Sequence, residues 1–194
     1  GDTNSGAITF LADIDRSSST NINLTTGAGN NIAFSTFALN AGAAGDVTLT
    51  TSGAGAITTG DNTGDDIIGD DVSLSAGSGG IGTSSNNLRL KATTITASTS
   101  GNANQFLREF DSVTIASGGL NAGSGSISLT GGTFTLGGSN RVNDNTKLNV
   151  NSATFAIGTF NETVDTVTLT SGSITGSGGT LTSTNTIQTQ SGSV

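Results

Sequence analysis

Apolar side chains along this chain come in short pairs split by one polar residue, and the pairs recur at nearly constant intervals. Ile22/Leu24, Val47/Leu49 and Val72/Leu74, in NINLT, DVTLT and DVSLS, follow one another 25 residues apart. This series continues less cleanly through Ile95, Leu120, Val142, Phe160 and Leu181. A second series runs through Ile8/Phe10, Ile32/Phe34, Ile57, Ile81, Phe106, Ile127/Leu129, Leu148/Val150, Val167/Leu169 and Ile187. A third takes in Leu88/Leu90, Val113/Ile115, Phe134/Leu136, Phe155/Ile157, Ile174 and Val194, and it changes pitch together with the second. Alternation of period two, as in TVTLT over Thr166–Thr170, sends Val167 and Leu169 to one side and the threonines to the other, which predicts strands. Gly, Asn, Asp and Ser cluster between the strands, as at Gly118–Gly119, Gly137–Asn140 and Gly176–Gly179, and predict turns.

Three series sharing one period predict an all-β fold, a parallel β-helix or β-solenoid with three strands per coil and about eight coils of 19–25 residues. A single domain is expected over residues 1–194, with longer coils over about 1–110 and shorter ones over about 111–194. One coil alone buries too little apolar surface to offset the entropy of ordering it, so each must be held by its neighbours. Stacked at about 4.8 Å per coil, the body should be a rod on the order of 40 Å long. A β-sandwich is compatible with the composition, but it does not predict equal steps in separate columns.

Composition narrows function more than fold. Leu, Ile, Val and Phe make up only 44 of 194 residues, while 30 are Gly. There is no Pro, Cys, His, Met, Trp or Tyr, and the formal net charge is −8. Without Cys there is no disulfide framework and no thiolate metal site. An acidic chain without basic clusters is not expected to bind nucleic acid. No run of apolar residues is long enough to predict a membrane-spanning helix.

Candidate chemistry is sparse, and catalysis is not expected. Without His, Cys or Tyr, general bases and nucleophiles reduce to Asp, Glu, Lys and Ser. The six cations, Arg16, Arg89, Lys91, Arg108, Arg141 and Lys147, are dispersed, and only Arg89 and Lys91 share adjacent outward positions of one predicted strand, as a solvated face. The one concentrated acidic stretch is DNTGDDIIGDD over Asp61–Asp71. Asp61, Asp65, Asp66, Asp70 and Asp71 are candidate calcium ligands, because hard oxygen donors in a flexible loop suit Ca²⁺, although the spacing matches neither an EF-hand loop nor the glycine-rich nonapeptide repeats. Beyond that candidate no cofactor is expected; Ile67 and Ile68 would anchor the loop to the core. Phe106 and Phe110 in NQFLREFDS stand four apart, so Asn104–Asp111 reads either as a short helical turn, as an exposed contact patch, or as ordinary core packing. Outward Thr-x-Thr ranks such as Thr48–Thr50 and Thr133–Thr135 suggest an ordered-water face, but Ala156 and Asn149 interrupt the lattice.

Asp71–Ala92, DVSLSAGSGGIGTSSNNLRLKA, resembles the coil motif of filamentous-haemagglutinin-like proteins and other very large bacterial surface and secreted proteins. Asn161–Thr182, NETVDTVTLTSGSITGSGGTLT, is similar to the β-strand repeats of autotransporter passenger regions. The resemblance implies a right-handed β-helix within an extracellular or cell-surface adhesin, stalk or filament, and carries over no binding residue. The expected function is thus a nonenzymatic rod, stalk, fibre or sheath at the bacterial surface. The alternative is a receptor- or glycan-binding adhesin module using the 104–111 or the 61–71 segment. The turn-like opening GDTNSG and the position of Val194 in a core column lead to an expectation of open, stackable ends. Expected partners are further coils of the same chain, other copies end to end, or a host or neighbouring cell surface.

Overall fold

The computed structural model describes residues 6–16 and 18–191, and places no helix among them. Val194, and residues 1–5 of the turn-like opening segment, lie outside the described residues. The chain is a β-solenoid of about eight coils, and its strand pairings are parallel.

The first two coils use short strands. They are β1 (Ile8–Thr9), β2 (Ile14–Asp15) and β3 (Ile22–Ala28), then β4 (Ile32–Ala33), β5 (Leu39–Asn40) and β6 (Val47–Ser52). Next come β7 (Ala56–Thr58) with β8 (Ile67–Ala76), and β9 (Gly80–Ile81) with β10 (Leu88–Thr99). From there single long strands sweep around more than one face: β11 (Gln105–Asn121), β12 (Ser126–Leu136), β13 (Lys147–Gly158), β14 (Glu162–Gly176) and β15 (Leu181–Thr189).

The second predicted series is the spine of the molecule. Ile8, Ile32, Ile57 and Ile81 stand one above another, and Ile127, Leu148, Val167 and Ile187 continue the file. Between the two halves stands Gln105, not Phe106: Gln105 pairs with Ile81 below and Ile127 above. The first series holds through Val47, Val72 and Ile95, and Leu120 bridges to Val142. Further on, Leu181 stacks on Glu162 and not on Phe160. In the third, Val113, Phe134, Phe155 and Ile174 are stacked as expected. Its first member is corrected: Leu88 pairs with Leu107, and the partner of Ile115 is Ile95.

The corrections at Gln105, Leu88 and Ile115 have one cause. In coil 4 a corner loop separates Ile81 from Leu88, whereas in coil 5 their partners Gln105 and Leu107 are two residues apart on one continuous strand. The corner loop has been deleted, and a smaller bulge opens farther along, where Ile95 and Ala97 face Ile115 and Leu120. Gln105 sits at this change of gauge. It is fully buried, and its Nε2 donates to the carbonyls of Ala97 (3.3 Å) and Asn121 (2.8 Å), tying together strands whose register has slipped. Replacing Gln105 with leucine would complete the apolar file and remove its unpartnered buried Oε1, but it would take the Nε2 donor from both carbonyls. The expected outcome is a loss of about 1–2 kcal/mol in chemical denaturation, where hydrophobic patterning alone would forecast a gain.

Core residues are close to fully buried from Phe10 to Ile174, and the Phe10 and Phe34 rings stack with centroids 4.6 Å apart. Between coils the hydroxyls also form rungs, as where Thr154 and Ser173 lie 3.1 Å apart. Tight turns bring one coil's backbone onto the next. At Gly172 (φ 107°) any Cβ would run into the Ala153 carbonyl, so the position requires glycine for both conformation and clearance.

Candidate functional site

The deleted corner loop creates a step on the outside of the rod. In coil 3 the segment between Ile57 and Ile67 bulges outward; in coil 5 nothing occupies that corner, and β11 presents Phe106, Arg108 and Phe110 on its outer face. Alternation fixes this parity, because Gln105, Leu107 and Glu109 face inward and are buried. Asn104–Asp111 is therefore not a helical turn: Gln105–Asp111 is strand, and Phe110 is 71% exposed.

Arg89 lies between these two levels. It pairs in register with Arg108 of the next coil, and its side chain points outward from β10, yet it is only 4% exposed because the 61–66 loop folds over it. The expectation of a solvated strand face is overturned here. Arg89 Nη2 donates to Asp61 Oδ1 (2.5 Å) and to Asp66 Oδ1 (2.9 Å). Asp66, itself buried, also accepts from the Thr59 hydroxyl (2.8 Å) and from the Arg89 amide (2.8 Å). Burial pushes the Asp66 carboxyl up to about 6, against the opposing pull of these donors and of the guanidinium. The Asp61 carboxyl is held below its ordinary value, chiefly by the Thr63 hydroxyl and then by Arg89. Arg89 Nε and Nη1 are buried without a hydrogen-bond partner.

The five aspartates of the acidic stretch do not converge. Asp61 and Asp66 hold the Arg89 guanidinium between them, and Asp65 is half-buried nearby, its carboxyl raised by desolvation. Asp70 and Asp71 lie on β8, not in a loop, and Asp71 accepts from the Thr94 hydroxyl (2.6 Å). Ile67 anchors the segment in the core, while Ile68 is only half-buried. Among the described residues no three acidic side chains form a group able to hold a metal ion.

What the step does bring together is the two segments singled out separately in the sequence. Asn62, Gly64 and Asp65 from the loop, Arg89 and Leu90 from β10, and Arg108 and Phe110 from β11 line a recess of about 140 Å³. Beside it, on the same strands, a wider groove of about 590 Å³ runs across the coils and is lined by Asn40, Lys91, Thr93, Asp111, Ser112 and Thr114, among others.

Sequence reasoning missed Glu109. It stands on the inner face of β11, fully buried, with Oε1 accepting from the Phe110 amide (3.0 Å) and Oε2 unpartnered. Burial pushes its carboxyl up to about 8, and the neighbouring Asp111 carboxylate reinforces the shift. The signal was present: Leu107 fixes the parity of the strand, and assigning Phe106 to the spine reverses it. Glu162 is a second buried acid, raised by desolvation, whose Oε2 accepts from the Arg141 amide (2.6 Å).

Comparison of the chain with family models, with curated proteins and with solved structures finds no match in any of the three.

Proposed function

We propose that this protein is a nonenzymatic structural rod, a segment of an extracellular bacterial adhesin, surface fibre or sheath, with ends that self-stack. The observation that carries this reading is the file from Ile8 to Ile187, in which each coil is hydrogen-bonded to the next along the long axis. Such a body offers reach, and resistance to proteases along its strands, because most of the described residues lie in strands laddered to the next coil. The residue inventory supports a role without catalysis, since His, Cys and Tyr are all missing.

The last coil supports stacking. Ile157, Leu169, Ile174, Leu181 and Ile187 line an apolar cavity of about 290 Å³, and Ile187 is 54% exposed. Small-angle scattering should report a rod, and sedimentation should show association growing with protein concentration. Ile187→Asp is expected to abolish that association while leaving the rod profile of the single chain unchanged. A globular scattering profile would remove the mechanical reading; a rod that stays monomeric in both forms would remove self-stacking alone.

A further inference from the structure

We propose that the recess at the corner of coils 3 to 5 is a subsite for one pyranose ring of a glycan, with Phe110 against the apolar ring face and Asp65 and Arg108 sharing its hydroxyl groups. The recess, about 140 Å³, is enclosed by the 61–66 loop, by Arg89 and Leu90, and by Arg108 and Phe110. That space suits a single six-membered ring. Phe110 stands out among the aromatics. Phe10, Phe34, Phe134 and Phe155 are buried, and Phe37 and Phe160 pack against the core, while Phe110 presents its ring to solvent from a strand. An aromatic face on a rigid strand beside polar groups is what a sugar ring needs, because its C–H face is apolar and its edge is polar.

The polar edge has matching partners. Arg108 makes no ion pair among the described residues, and Asp65 lies within electrostatic reach of it and of Lys91. A guanidinium and a carboxylate lining one recess offer donors and acceptors to neighbouring hydroxyls. Arg89, which also lines the recess, is fixed in place by Asp61 and Asp66. Charge favours a hydroxyl-rich ligand over a polyanion. Asp61 and Asp66 already neutralise Arg89, and Asp65 and Asp111 balance Arg108 and Lys91. The adjoining groove along Lys91, Thr93, Asp111 and Ser112 gives further rings of the same glycan a polar path.

The site is independent of the mechanical reading, which concerns shape and association. The test is saturation-transfer NMR on the full chain with the methyl glycosides of glucose, galactose, mannose and glucuronic acid, each at about 10 mM, suited to a millimolar single-ring affinity. Transfer to ring protons of at least one neutral glycoside is expected, falling roughly fivefold in Phe110→Ala and in Arg108→Gln. The outward Thr168→Ala variant, far along the rod, should transfer as the unaltered chain does. Transfer confined to the glucuronide would overturn the proposal, because the ligand would then be held through its carboxylate and not through its hydroxyl groups. No transfer to any of the four sugars, or transfer that Phe110→Ala leaves unchanged, overturns the proposal.

Discussion

Arg89→Ala is expected to lower stability by about 3–5 kcal/mol, the effect of stranding a buried carboxylate. Asp66 is 1% exposed, and without the guanidinium it keeps only the Thr59 hydroxyl and one backbone amide. The damage should be local before it is global. The 61–66 loop is held over β10 in part by these ion pairs, together with the Asn62 side-chain amide bonded to Ser85 and Asn86, so its amides should lose hydrogen-exchange protection while those of β13 and β14 keep theirs. Removing both charges tests the cause: Arg89→Met with Asp66→Asn should recover most of the loss, because the wild-type pair already carries the burden of two unpartnered guanidinium nitrogens and an amide oxygen can still accept from the residue 89 amide or the Thr59 hydroxyl. Guanidinium denaturation of the single and double variants checks this. A loss below about 1 kcal/mol in Arg89→Ala would mean that the loop does not seal the pair from water.

The contrast between the spine and this corner shows what a sequence of this kind discloses. Stacking of like residues is legible because every coil repeats the same geometric demand, and Val113, Phe134 and Phe155 meet it in turn. The legibility fails where the demand changes. Between coils 4 and 5 one loop vanishes and another bulge opens, so Leu88 and Val113, 25 residues apart in a chain with a period near 25, look like partners although their true partners are Leu107 and, for the adjacent Ile115, Ile95. A fixed period cannot register compensating insertions and deletions.

The site was legible only as fragments. DNTGDDIIGDD and NQFLREFDS stood out by composition, but their meeting depends on the same deletion that defeats the periodicity argument. The burial of Arg89 likewise cannot be read from its strand. An outward position on a solenoid is ordinarily solvated, and only the loop from the preceding coil, drawn in by Asp61 and Asp66, covers it. Glu109 differs in kind. Its inward parity was derivable from Leu107, and what concealed it was the prior that an acidic residue belongs outside.

Glu109 accordingly makes stability depend on pH in an unusual direction. Its carboxyl is raised in the folded chain from 4.5 to about 8, so the stabilising effect of the bound proton is complete below the unfolded value and is lost as pH rises toward the folded one. Asp66, raised to about 6, and Glu162, also raised, act in the same sense. Asp61 and Asp111, both lowered, act oppositely, but only below the ordinary carboxylate range; Asp111 is exposed and contributes little, and Asp61 is half-buried. The chain is therefore expected to be most stable near pH 4–5 and to lose about 3 kcal/mol through Glu109 alone by pH 7. Glu109→Gln, similar in shape but unable to ionise, should match the unaltered chain at pH 4.5 and exceed it by about 3 kcal/mol at pH 7, the difference widening toward pH 8. Denaturation midpoints of the two chains across that range decide the matter. Parallel profiles would place Glu109 in contact with water and undo the assignment of a neutral acid to the solenoid core.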